Sequence, residues 1–135
     1  MSGQFLLWQG WISISISPDA DADCFDALKK AIHELEVFMR PQQMVNQLFE
    51  IKPFNLEQVL FIAGSHNHDV GYSDSIVEVL NKVAELAPAS HGLVYIRWPE
   101  HPTLWNQYKV YKMARGKITM EDDPFFSPCN PLIED

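Results

Sequence analysis

Prolines at 124, 128 and 131 govern the end of this chain and set the strictest limit on its fold. A helix interior does not tolerate them, and a central strand would lose a ladder bond at each one. The same stretch, 121–135, carries five carboxylates and no Lys or Arg, yet it holds two apolar clumps, Phe125-Phe126 and Leu132-Ile133. A disordered acidic tail would lack such residues. The segment is expected to run extended along the body, with Phe125, Phe126, Leu132 and Ile133 as anchors and its carboxylates toward solvent or a partner. Truncation after Met120 is then expected to destabilise the domain.

At 135 residues and 47% hydrophobic, the chain reads as a single domain, 1–135, with room for a core. Its two cysteines, Cys24 and Cys129, are too few for a disulfide scaffold and fit a reducing, cytoplasmic setting. Gln9, Gly10 and the alternating serines interrupt the first twenty residues, so neither signal peptide nor membrane span is expected. The net charge is −8, and its distribution matters more than its size. Asp19, Asp21, Asp23 and Asp26 form one run without a base, and Glu121, Asp122, Asp123, Glu134 and Asp135 form a second. Those two segments sum to −9, while the remaining nine acids face ten Lys and Arg, leaving the body at +1 (10 − 9). Such a chain repels phosphates, which argues against nucleic acid as a partner. It suits a basic protein, whose approach the field would accelerate.

Periodicity gives the elements. Strict alternation from Trp11 through Ser17 predicts a half-buried strand with Ile12, Ile14 and Ile16 inside, preceded by a bulge or bend at Gly10. Phe25, Leu28, Ile32, Leu35 and Met39 form one helical stripe over about 24–39. A strand is expected over 45–52, with Val45, Gln47, Phe49 and Ile51 on one face, followed by a two-sided central strand over 58–63. A second helix starts at Ser73 or Ser75, where Ser75 and Glu78 offer a capping box, and turns Ile76, Leu80, Val83, Ala84 and Ala87 inward. Residues 92–98 read as a strand, and 106–113 with 117–120 as a hairpin around Arg115-Gly116. The order β-α-β-β-α-β-β-β implies an α+β domain: a mostly antiparallel sheet of five to six strands, both helices on one face, and an extended C-terminal tail.

Catalytic chemistry has one candidate, Ser65-His66-Asn67-His68-Asp69. His66, His68 and Asp69 have the composition of a metal site that His91, His101 or Cys129 would complete, as in a small metal-dependent hydrolase. Against this, no second ligand pair follows at recognisable spacing, and Asn67 and Asp69 equally suit a turn. There is no Gly-rich phosphate loop, no G-x-S-x-G and no C-x-x-C. No catalytic residue, metal ligand or cofactor is therefore assigned. Of the tryptophans, Trp11 and Trp98 are expected to be core or half-buried, while Trp8 and Trp105, near strand ends, are candidate exposed anchors.

Four stretches taken in order carry a resemblance: Gly10-Trp11-Ile12, Gly64-Ser65-His66-Asn67-His68, 87–97 (APASHGLVYIR), and 123–135 (DPFFSPCNPLIED). Together they resemble the immunity protein 7 family of bacterial polymorphic toxin systems. The resemblance implies an α+β protein that binds and neutralises a cognate toxin, without enzymatic activity of its own. In the loop 99–104, Pro-Glu-His-Pro stands where the family pattern has more acids. A basic toxin, such as a nuclease domain, would complement the two acidic segments. The expected contacts are Asp19, Asp21 and Asp23 with Glu121, Asp122 and Asp123; a second candidate surface is His66, Asn67, His68 and Tyr72. A cytoplasmic adaptor for another basic partner is the remaining alternative.

Overall fold

The computed structural model describes residues 5–18, 22–43, 46–66 and 72–134, the side chains of residues 22, 23, 72 and 73 excepted. Its main elements are β1 (Leu6–Ile14), α1 (Ala22–Met39), β2 (Gln47–Phe54), β3 (Glu57–His66), α2 (Tyr72–Leu86), β4 (His91–Arg97), β5 (Tyr108–Ala114) and β6 (Lys117–Asp122). A 3-10 turn, Arg40–Gln42, closes α1, and a short helical turn, Cys129–Leu132, lies in the tail. The strands form one sheet in the order β2-β3-β1-β4-β5-β6, and each neighbouring pair is antiparallel. The fold is α+β, as the element order implies.

Strand parity decides the core. Leu6, Trp8, Ile12 and Ile14 of β1 lie on the same side as Leu60 and Ile62 of β3 and Val94 and Ile96 of β4, and all are buried. They pack in one cluster with Leu35 and Met39 of α1 and Ile76, Val79, Leu80 and Val83 of α2. Each such aliphatic side chain contributes about 1.5–3 kcal/mol on leaving water. Both helices cover this one face: α1 lies toward β2, α2 toward β6, and they touch each other.

Several local expectations are corrected. Gly10 is no bulge, because it pairs in unbroken register with Ile62 on one side and Val94 on the other. Unbroken register keeps Trp8 in phase with the isoleucines, so Trp8 is buried at 2% exposure, and Trp11 stands on the opposite, outer face with its ring edge-on to His91. Phe25 leaves the buried stripe of α1; it is exposed beneath the ammonium of Lys29, 4.8 Å from the ring centre. Ser75 lies within α2 and so cannot cap it. Val45 falls outside the described residues. The outer side of β3, expected to be buried like its inner side, is only partly covered at Val59 and Phe61, because no helix lies over that face.

Two details protect or close the sheet. The β5–β6 hairpin turns through Arg115 at φ 54° and Gly116 at φ 74°, the paired left-handed residues of a tight two-residue turn. On the edge strand β2, the amide of Gln43 acts as a surrogate neighbour: its oxygen accepts the Phe49 N–H at 3.1 Å and its nitrogen donates to the Phe49 carbonyl. Pro53 removes one further edge donor.

Candidate functional site

The tail is held differently from expectation. Phe125, Phe126, Leu132 and Ile133 are all exposed, Phe125 at 68%, so they are not buried anchors. Polar groups hold the segment instead. The Asp123 side chain is buried and accepts the backbone N–H groups of Phe125 (3.0 Å) and Phe126 (2.8 Å) and the Ser127 hydroxyl (3.2 Å). That hydroxyl oxygen in turn accepts the Tyr108 N–H at 2.9 Å. The Cys129 N–H donates to the Asn106 carbonyl at 2.8 Å, and the Asn106 side-chain amide both donates to the Asn130 backbone carbonyl (3.3 Å) and accepts the Asn130 N–H (2.6 Å). Glu134 pairs with the guanidinium of Arg97, a largely buried residue of β4. The tail thus crosses the outer face where β4 and β5 meet, and bends there through a turn rather than running extended.

Titration follows from this packing. Burial, then the negative charge of Asp123, raises the Tyr95 hydroxyl above its ordinary pKa. Burial also raises the Cys129 thiol, against the lowering influence of Arg97. Burial works against the charge on Arg97, but its hydrogen bond with Glu134 and nearby negative groups leave its pKa raised overall. For Cys129, the sign is plain: the linked stability is full below the ordinary thiol value of 9.0 and falls as pH rises through the folded value. A direct check is thiol labelling of the native protein at pH 8. Cys24, half-buried, should react readily, and fully buried Cys129 should react at least about a hundredfold more slowly until the protein unfolds.

The predicted acidic surface divides in two. In the tail, Glu121 pairs with Lys112 at 3.5 Å and Asp122 with Lys109, both across the β5–β6 ladder. With Asp123 turned into its own turn and Glu134 on Arg97, each described tail carboxylate is matched within the chain. Asp123 is therefore corrected from a contact residue to a folding residue. The sequence sum missed this because the balancing bases lie on β4 and β5, distant in sequence from the acids. Asp26, at the start of α1, is exposed and has no ion-pair partner among the described residues. Asp19 and Asp21 lie outside the described residues, as does the side chain of Asp23.

The histidine loop gives less. His66 ends β3 and is half-buried; Asn67, His68 and Asp69 lie outside the described residues, as does the side chain of Tyr72. The residues that would have completed a metal site are held in separate places. His91 stands against Trp11, and Cys129 is buried beside Arg97. The Nδ1 of His101 accepts the N–H groups of Thr103 and Leu104, each at 3.0 Å. Among the described residues no group of three or more His, Cys, Asp or Glu is gathered as metal ligands would be. No described helix is long and apolar enough to cross a membrane.

What the sequence reading missed is apolar. Trp11, Phe25, Phe54 and Leu56 are exposed, and all four lie on the outer face of the sheet or at the β2–β3 turn and α1 end of the molecule. The signal was present in β1, where Trp11 falls out of phase with the isoleucines, and in Phe54-Asn55-Leu56, where a turn carries two large apolar residues.

Comparison with curated proteins and with solved structures gives no match. The family model described as immunity protein 7 matches residues 6–135, from the first residue of β1 to the end of the tail. Its span takes in the sheet, both helices and the polar-clamped tail together, and on that match the chain belongs to the immunity protein 7 family.

Proposed function

We propose that this protein neutralises a cognate bacterial polymorphic toxin by direct binding, and that it acts without catalysis. The carrying observation is the family match over residues 6–135. The toxin domain is basic, of the kind a nuclease presents, and the acids at the start of α1 steer it. In the sequence Asp19, Asp21, Asp23 and Asp26 form a run without a base, whereas the described tail carboxylates are matched within the chain. Exposed charges of this kind act mainly on the association rate and lose their effect with salt.

Co-expression with the product of the neighbouring gene, followed by pull-down, tests the reading: a stable complex is expected, and its absence would sink it. Changing Asp19, Asp21 and Asp23 together to Lys should then slow association about ten- to a hundredfold at low salt and flatten its salt dependence. Unchanged association kinetics would remove the acidic run from the interface.

A further inference from the structure

The two edges of the sheet are finished differently. β2 is closed by the Gln43 amide, which occupies both backbone groups of Phe49, and by Pro53, which offers no donor. At the other edge β6 pairs with β5 alone, and five of its six residues are exposed, Met120 at 47%. After Asp122 the chain turns back over β5, where the Asp123 N–H donates to the Tyr108 carbonyl. The tail therefore leaves toward β4 rather than along the open side of β6.

The hairpin decides which backbone groups face outward. A two-residue turn closes on a hydrogen-bonded pair, here Ala114 and Lys117, and ladder bonds alternate from that pair. Lys117, Thr119 and Glu121 thus direct their N–H and C=O groups to β5, while those of Ile118, Met120 and Asp122 point away from the sheet.

The side chains along this edge are complementary to themselves. A second β6 laid antiparallel about a two-fold axis at Thr119 sets Ile118 opposite Met120, and Lys117 opposite Glu121, once on each side of the axis. Ile118 and Met120 are then the pairs that exchange backbone hydrogen bonds. Ile118 already packs against the core, and across the axis it would cover the exposed Met120 of the second copy. Lys117 has no ion-pair partner among the described residues, and it would meet Glu121 of the second copy. Moving the axis by one residue loses this match, because Lys117 then faces Thr119, or Thr119 faces Glu121. Charge on an edge strand ordinarily discourages pairing. Opposite signs placed symmetrically about one residue instead select a single register.

We infer that the open edge of β6 receives β6 of a second copy of this chain, forming a two-fold dimer with one continuous sheet. The inference goes beyond the immunity reading and does not depend on it.

Sedimentation of the full-length protein up to about 0.5 mM should show a dimer with a Kd of roughly 10–100 μM, as befits so short an interface. Lys117→Glu and Glu121→Lys, each alone, set like charges opposite each other and should raise Kd about tenfold or more. The two changes together restore opposite signs. Lys112, opposite Thr119 and diagonal to both positions, keeps an acid within reach in that double variant. Its Kd should return to within about threefold of the wild type. Met120→Pro removes an outward donor that β5 does not use and should abolish association. Lys52→Glu, on the β2 edge, should change nothing. Thermal melting checks that each variant folds; if Met120→Pro does not, the exposed charge pair decides alone. A wild-type chain that stays monomeric throughout overturns the inference, as does a dimer indifferent to the charge variants. A monomer in which Lys117→Glu impairs only toxin capture gives the edge to a strand of the toxin and also overturns it.

Discussion

Replacing Asp123 by Ala should lower the stability of the protein by about 3 kcal/mol, the larger part of which comes from charge-assisted hydrogen bonds lost at once. The carboxylate accepts two backbone N–H groups and one hydroxyl at 2.8–3.2 Å in a buried turn, and alanine leaves all three donors facing nothing. For a domain of this size that corresponds to a fall in Tm of roughly 10 °C. Asp123→Asn keeps one acceptor oxygen and should cost about half as much. Truncation after Met120 removes the same turn together with the Cys129, Asn130 and Glu134 contacts, so it should be at least as damaging as Asp123→Ala. By contrast Phe125→Ala, at an exposed position, should change stability by less than about 0.5 kcal/mol. Equal losses for Asp123→Ala and Phe125→Ala in denaturant titrations would return the anchoring role to the aromatic residues.

Gly92→Ala should be as severe or worse, about 3 kcal/mol or more, for a different reason. A methyl group there would sit 2.0 Å from the Trp11 carbonyl oxygen and 2.8 Å from the Ile12 Cα. Those are backbone atoms of the neighbouring strand, so relief requires β1 and β4 to separate in the middle of the sheet. Gly116→Ala is the useful comparison. Its nearest neighbour would be 3.8 Å away, but φ is +74°, so the cost is conformational and should stay near 1 kcal/mol. A Gly92→Ala protein that melts like the wild type would show that the strands are not so closely apposed.

The contrast between these two residues also shows where the sequence was informative. Element order, both helices, and the Arg115-Gly116 hairpin were legible because they depend on local periodicity and turn chemistry. Trp8 was misplaced because it was taken to lie near a strand end, whereas β1 starts at Leu6 and runs in unbroken register, which puts Trp8 in phase with the isoleucines. The tail was misread for a related reason. Its prolines spoke against a long helix or a central strand, but its partners Arg97, Asn106, Tyr108, Lys109 and Lys112 lie on other strands and loops. A charge sum over consecutive residues does not see pairing across a ladder. Nor did the search for acids and histidines weigh the exposed face holding Trp11 and Phe61, because which strand face lies open is a property of the sheet and its covering helices.

The polar clamp on the tail has a consequence for how such a protein can change over generations. The atoms that hold residues 123–134 in place belong to the side chains of Asp123, Ser127, Asn106, Arg97 and Glu134 and to the backbone, while Phe125, Phe126, Leu132 and Ile133 are exposed. Support and display are therefore assigned to different side chains. Mutations at the four outward positions can alter the chemistry of that surface with little penalty in folding, whereas mutations in the clamp remove the platform itself. A segment built in this way can change what it shows to solvent without changing how it is held.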